Sequence, residues 1–446
     1  MIMRRVELAR GRTLPQDTLR QAGGVDPEVL SVAARIVEDV RQRGDDAIRE
    51  YTGKFDGVEV TVLRVTPEEI EAAVASVPLE FRDAIAVAAA SIEEYHERQV
   101  PRSWFTTQEG VFIGQKVTPL RRVGIYVPGG RACYPSSVLM NAIPAVVAGV
   151  DEIAMVVPPA KDGSVNPYVL AAAAEAGVSE IYKVGGAQAI AALAFGTRSI
   201  PRVDKITGPG NAYVTAAKKL VVGDVGIDML AGPSEVCVLA DETAEPAFVA
   251  IDLMAQAEHD PNAQTFLVTC DATLPDEVEE ALEVLLAEAP RADVIRRSLT
   301  DNGLIVIVED EAAALDVANA IAPEHLEIMM AEPFELLGQV RNAGAIFLGP
   351  WTPESVGDYV AGPNHVLPTG GTARFSSPLS VDDFMKKSSV ISYSRAALEA
   401  DAATVITLAT AEGLDAHADA VALRMEIAAE SDAEADAAAA AADGEA

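Results

Sequence analysis

The segment VGIYVPGGRACYPSSVLMNAIPAVVAGVDEIAMVVPP (residues 123–159) reads as one strand–helix–strand unit. Residues 123–127 are a short apolar run closed by Pro128-Gly129-Gly130. Residues 141–148 read as a helix, and residues 152–157 are a second apolar run closed by Pro158-Pro159. Short apolar runs bounded by turn residues and separated by a helix predict parallel strands joined by a crossover. The pattern continues with a helix at 167–176, a strand at 180–184 and a helix at 188–194. A second series follows, with strands at 234–240, 265–269, 303–308 and 345–348. Helices are expected between them at 246–258, 276–289 and 311–321. Upstream, 27–43 and 67–98 read as helices. The 446 residues therefore predict an α/β chain with two parallel sheets.

Two stretches break the pattern. Residues 349–387 are rich in Gly, Pro, Ser and Thr and show no period; a long irregular segment inside a folded chain usually carries function. Residues 396–424 read as helix with a break at Gly413. From Glu426 onward the chain is little more than acidic residues and alanine, and disorder is expected.

Composition excludes several classes. Asp+Glu number 68 against 34 Lys+Arg, a formal charge of −34, which argues against nucleic-acid binding through a basic patch. Only nine of the basic residues are lysine. Acid-rich, lysine-poor surfaces suit a salt-loaded cytoplasm, where charges are screened within about 3 Å at 1 M. No run of ~20 apolar residues and no apolar leader is present, so a cytoplasmic protein without a membrane span is expected. Three cysteines, Cys133, Cys237 and Cys270, suggest neither a disulfide framework nor a thiolate zinc site.

The five histidines carry the chemistry. His96, in EEYHERQ, reads as a solvated surface residue. His259 follows Gln256 by three residues near a helix end, so both can face one metal; a histidine meeting the helix dipole is the plainer alternative. Glu324-His325 follow a proline and offer two proton-transfer groups, against a simple polar loop. Asp358 and His365 share the irregular segment. His417 follows Glu412 by five residues on a helix. Four of five histidines thus sit in acid-containing motifs, an N/O donor set suited to zinc with an open position. YVPGGR (126–131), VGGAQAI (184–190) and TGPGNAYV (207–214) are turns of the kind that let a backbone approach a phosphate, with ordinary turn chemistry the plainer alternative, since none is a GxGxxG fingerprint.

Taken together, YVPGG, GGAQAIAALAFGT, VDKITGPGNAYVTAAKK, GIDMLAGPSE, DLMAQAEHDPNAQ, APEHLE, ESVGDYVAGPNHVLPT and EGLDAHADAVALR resemble the histidinol dehydrogenase family, in the family's order, over about residues 20–425. The resemblance implies zinc ligands Gln256, His259, Asp358 and His417, one zinc per subunit, and a catalytic pair Glu324 and His325. It implies substrate contacts at Ser234, His365 and Glu412, alongside His325 and the metal ligands, and NAD contacts at Tyr126, Gln188 and Asn211. It also implies two Rossmann-like parallel-sheet domains, one inserted in the other, with small N- and C-terminal segments, in the aldehyde-dehydrogenase-like class. The expected divisions are an N-terminal segment 1–23, a first domain of 24–125 and 236–378, an inserted domain 126–235, a helical dimerisation segment 379–425 and a disordered acidic tail 426–446.

The implied reaction oxidises L-histidinol through L-histidinal to L-histidine with two NAD, the last step of histidine biosynthesis. The implied assembly is a homodimer in which Glu412 and His417 complete the partner's site. A thiohemiacetal at Cys133 competes as chemistry, but Glu324 and His325 already account for both half-reactions. A zinc hydrolase would work without nucleotide, and a non-catalytic binding protein would form no NADH; the glycine turns argue against the first and the intact Glu–His pair against the second.

Overall fold

The computed structural model describes residues 2–9, 12, 14, 24–129 and 133–443. Most of the N-terminal segment, Gly130-Arg131 of the first glycine turn, and residues 444–446 lie outside these. The chain divides into two compact units: Met1–Val100 with Pro119–Met385, and Pro101–Thr118 with Lys386–Ala446.

In chain order, β1 (Arg4–Glu7) precedes α1 (Pro27–Arg43), α2 (Asp45–Phe55), α3 (Pro67–Ser76) and α4 (Leu79–Glu97). Then come β2 (Trp104–Gln108), β3 (Val111–Pro119), β4 (Arg122–Tyr126), α5 (Pro135–Ala148), β5 (Glu152–Val157), α6 (Pro167–Glu175), β6 (Glu180–Lys183) and α7 (Gly186–Phe195). β7 (Lys205–Thr207), α8 (Ala212–Leu220) and β8 (Gly226–Ile227) complete this half. The second series is β9 (Glu235–Ala240), α9 (Pro246–Ala257), β10 (Gln264–Thr269), α10 (Leu274–Leu286), α11 (Ala292–Asn302), β11 (Gly303–Ile307) and α12 (Glu311–Ile321). It ends with β12 (His325–Met329), α13 (Pro333–Leu337), β13 (Ala345–Leu348) and α14 (Glu354–Tyr359), followed by β14 (Met385–Tyr393), α15 (Arg395–Ala411) and α16 (Asp415–Asp443).

The larger unit holds two wholly parallel sheets, ordered β6-β5-β4-β7-β8 and β1-β11-β10-β9-β12-β13. β9 and β10 are buried at every residue, which is why they read as apolar runs without alternation. Helices α1, α7 and α8 cover one face of the five-stranded sheet, and α3 to α6 the other.

This packing corrects the expected boundaries. Residues 27–97 belong with the five-stranded sheet, whereas the sequence placed 24–125 with 236–378. Among the described residues, β1 is the one N-terminal strand that joins the six-stranded sheet, pairing β11. The reason is apolar area: α1 buries Ala33, Ile36, Val37 and Val40 beside α7 and α8. The helix expected at 67–98 is two helices, parted at Pro78, which cannot donate to a continuing helix. Helix α5 starts at Pro135, a favoured first position, well before the expected residue 141. Segment 349–387 is less irregular than expected, since it holds α14 and two 3₁₀ turns, at Thr372–Arg374 and Val381–Phe384.

The smaller unit combines the sheet β14-β3-β2 with α15 and α16, which break at Gly413 as expected. It recruits the β2–β3 hairpin, which the sequence assigned to the first domain, and it begins after residue 385 rather than at 379. The tail from Glu426 is not irregular: α16 runs to Asp443. Alanine has the highest helix propensity, and Arg395 on α15 ion-pairs with Asp432 on α16. No described helix is long and apolar enough to cross a membrane.

Candidate active site

The predicted catalytic pair lies where α12 turns into the six-stranded sheet. Ala322 adopts φ 54°, a left-handed conformation costing a non-glycine residue about 1–2 kcal/mol, and Pro323 follows. This sharp turn delivers Glu324 and then His325, the first residue of β12. His325 sits in register with Val236 of β9 and Ala345 of β13. Ladders on both sides thus fix the backbone of the pair.

His325 is buried. Its Nδ1 is 3.1 Å from the backbone oxygen of Glu235. A carbonyl can only accept, so Nδ1 carries the proton and Nε2 the lone pair. Nε2 is shielded from solvent and has no hydrogen-bond partner among the described residues. Desolvation pushes the imidazole pKa down to about 4, against the opposing pull of Asp358, so the ring is neutral at pH 7. A neutral ring with a fixed tautomer and a free lone pair is set to accept a proton.

Carboxylates surround it. Glu324 Oε2 accepts from the Glu235 N–H at 3.0 Å, and the Ser234 hydroxyl also hydrogen-bonds this carboxyl. Burial raises the Glu324 pKa well above the usual range despite these bonds. Glu354 Oε1 lies 3.8 Å from His325 Nδ1. Its pKa is also raised well above normal, by burial first and then by Asp358, Glu324 and Glu327. Gln256 Oε1 lies 3.1 Å from His325 Nδ1 and can accept the same proton as the Glu235 carbonyl.

His259, Glu354 and Asp358 each offer a donor atom, and these atoms lie within 4.8 Å of one another. Asp358 also approaches His365 Nδ1 at 3.8 Å, and His365 Nε2 is 3.4 Å from Ser137 Oγ on α5. Ser234, Gln256, His259, Glu324, His325, Asp358 and His365 therefore form one chain of neighbours, joined through Glu354. Glu412 and His417 belong to the smaller unit, where both are exposed near the α15–α16 break. Sequence reasoning missed Glu354. Its signal was available: Glu354 and Asp358 are four apart on α14, a spacing that puts both on one helix face. It also misjudged His96, which is fully buried, with Nδ1 2.7 Å from the Ile92 oxygen and Nε2 3.4 Å from Asn364.

The predicted nucleotide residues lie elsewhere, at the carboxyl ends of the five-stranded sheet. Tyr126, Gln188 and Asn211 line one cleft of about 1170 Å³. The Tyr126 hydroxyl accepts from the Gly186 N–H at 3.1 Å, and burial raises its pKa to about 12. Gly208, at φ 109°, must be glycine, since a Cβ there would lie 2.1 Å from the Tyr126 oxygen. Asn211 caps α8, accepting from Tyr213 and Val214 N–H at 3.0 and 3.2 Å. Cys133 is exposed and lines this cleft, whereas Cys237 is a buried core thiol.

A parallel α/β fold with a cleft at a switch in strand order, together with a buried His–carboxylate cluster, defines a dinucleotide-dependent type of enzyme. The sequence pattern of the family described as histidinol dehydrogenase matches residues 20–425, and the chain belongs to that family of NAD-dependent oxidoreductases of histidine biosynthesis. A histidinol dehydrogenase from Heliobacterium mobile is 53% identical over 425 residues, covering 94% of this chain and all of the relative. One from Halalkalibacterium halodurans is 55% identical, covering 88% and 92%. The crystal structure of histidinol dehydrogenase from Elizabethkingia anophelis superposes with a TM-score of 0.89 at 37% identity, over 95% of this chain and 98% of that one.

Proposed function

We propose that the chain oxidises L-histidinol through L-histidinal to L-histidine, using two NAD and a bound zinc ion in one site. The observation that carries this reading is the free Nε2 lone pair of His325, whose tautomer is held by the Glu235 carbonyl. His325 takes the hydroxyl proton in the alcohol step. Glu324 takes a proton from the water that adds to the aldehyde. Its raised pKa brings it toward the working pH, where a general base contributes about 10²–10⁴-fold. Ser234 and His365 contact substrate, together with Glu412 of a second subunit.

The donor set fits a borderline metal: one imidazole and two carboxylates converge, with the Gln256 amide beside them. Gln256, His259 and Asp358, with His417 of a second subunit, are the ligands of this reading, and Glu354 is an additional candidate. When bound, the metal anchors substrate and supplies positive charge. NAD, when bound in the cleft of Tyr126, Gln188 and Asn211, accepts hydride. A homodimer is favoured by the large apolar side chains exposed on the smaller unit, among them Trp104, Ile391, Leu408 and Leu423. The charge of −34 favours a salt-loaded cytoplasm.

The test is NADH formation in concentrated KCl with limiting L-histidinol and excess NAD. Two NADH per histidinol, lost with a strong chelator and restored by zinc, is expected. No NADH from folded, zinc-loaded protein overturns the reading.

A further inference from the structure

In dinucleotide-binding βαβ units, an acidic side chain near the end of the second strand accepts hydrogen bonds from ribose hydroxyls. Here the second strand, β5, ends at Val157 and continues as Pro158-Pro159-Ala160-Lys161, with no acid at the strand end. The cleft receives a carboxylate from another element instead. Asp56 is the residue that closes α2, its backbone N–H bonded to the Thr52 oxygen at 2.9 Å. It lines the same cleft as Tyr126, Pro158 and Asn211. The chain just past it meets the loop after β5, since a Cβ on Gly163 would lie 3.6 Å from Val58 Cγ2.

Asp56 Oδ2 is closed off from solvent and has no hydrogen-bond partner among the described residues. A shielded acceptor with nothing to accept is unfavourable, and a turn of the carboxylate about its side-chain torsion brings this oxygen to a hydroxyl-bearing ligand in the cleft that Asp56 lines. Burial raises its pKa to about 6, so the group is charged at pH 8.

We infer that Asp56 replaces the missing strand-end acid: it accepts hydrogen bonds from the ribose hydroxyls of the adenosine half of NAD and repels the 2′-phosphate of NADP. The inference rests on the reading of this cleft as the NAD site. It makes Asp56 a cofactor-selecting residue supplied by the helices that precede the sheet. Lys161 lines the cleft as well, so a cation able to receive a phosphate is at hand, and the acid at the ribose is what would hold the preference.

The test is steady-state kinetics of zinc-loaded full-length enzyme with NAD and NADP, for Asp56→Asn, Asp56→Glu and, as a cleft control, Gln188→Ala. Asp56→Asn is expected to raise KM for NAD about tenfold with kcat nearly kept, and to lower the NAD-over-NADP ratio of kcat/KM at least tenfold. Asp56→Glu, which keeps the charge, is expected to retain the bias against NADP. If Asp56→Asn fails to fold, the Asp56→Glu ratio decides, and a loss of bias there overturns the inference. A ratio within twofold of wild type in Asp56→Asn, while Gln188→Ala raises KM for NAD, refutes the role of Asp56 and leaves the cleft reading standing. If neither Asp56→Asn nor Gln188→Ala moves KM for NAD, the cleft reading fails and takes this inference with it.

Discussion

Glu324→Gln separates the two half-reactions. Glutamine keeps the shape and one acceptor oxygen, so the hydrogen bond from the Glu235 N–H can persist, and the Ser234 hydroxyl can turn to suit the amide. What disappears is the ability to take a proton. A lost general base costs about 10²–10⁴-fold, or about 3–5 kcal/mol of barrier. The alcohol step depends on His325 and is kept, because the His325 Nδ1 bond to the Glu235 carbonyl does not involve the Glu324 side chain. The variant should therefore release one NADH per histidinol rapidly and the second at least 100-fold more slowly, with the aldehyde trapped by hydroxylamine in between. NADH absorbance under limiting histidinol reads this directly. Two equivalents at a rate within threefold of wild type would show that Glu324 is not the base for hydration.

Three further perturbations follow from the same geometry. Glu354 has a raised pKa, so the folded metal-free chain binds more protons than the unfolded one above about pH 4.5, and its stability falls as pH rises. Glu354→Gln should raise the Tm of chelator-stripped protein at pH 8, with the gain shrinking toward pH 4; a lowered Tm at pH 8 contradicts it. Lys218 Nζ donates to the Gly208 oxygen at 3.0 Å and pairs with Asp228, whose other oxygen accepts the Gly208 N–H at 2.8 Å. Lys218→Met leaves a buried carboxylate unpaired, about 3–5 kcal/mol; it should lower Tm and raise KM for NAD more than KM for histidinol, and equal changes in both would count against a cleft-specific clamp. Mixing Glu324→Gln dimers, blocked in the second half-reaction, with inactive His417→Asn dimers should restore part of the L-histidine formation if subunits share sites, and no recovery after proven subunit exchange would exclude sharing.

The parallel strands were legible because strands buried on both faces leave mostly apolar runs without alternation in sequence. β12 was not, because HLEIM places Glu327 in its middle, and a charged residue there argues against a central strand; Asp252 shares a hydrogen bond with that carboxyl and burial holds its pKa well up. The seven site residues of the larger unit were legible through motifs, and local pattern alone favoured a plainer alternative for most of them. His96 was misread from its charged neighbours, although Ile85, Ile92 and His96 fall on one buried stripe of α4. The domain boundary failed for a different reason: nothing local in α1 to α4 says which of two similar sheets they cover. That choice is made by long-range packing of Ile36 and Val40 against helices about 150 residues away.

The two sheets are used at opposite ends, which accounts for the division of labour. Open parallel sheets bind ligands beyond their strand carboxyl ends, and the five-stranded sheet follows that rule with its cleft. The proposed catalytic pair departs from it, because Glu235, whose carbonyl holds His325, and His325 itself begin β9 and β12. At a strand start the ladder fixes the backbone from the first residue on, so the Glu235 carbonyl faces His325 Nδ1 without depending on a loop. Helix α5 links the two regions. Ser137, in its first turn, contacts His365 at 3.4 Å, and Cys133, two residues before its start, lines the cleft. A shift of α5 would therefore be felt by the substrate side and the nucleotide side together. Variants at Ser137 should thus alter KM for histidinol and for NAD jointly, unlike variants confined to the cleft.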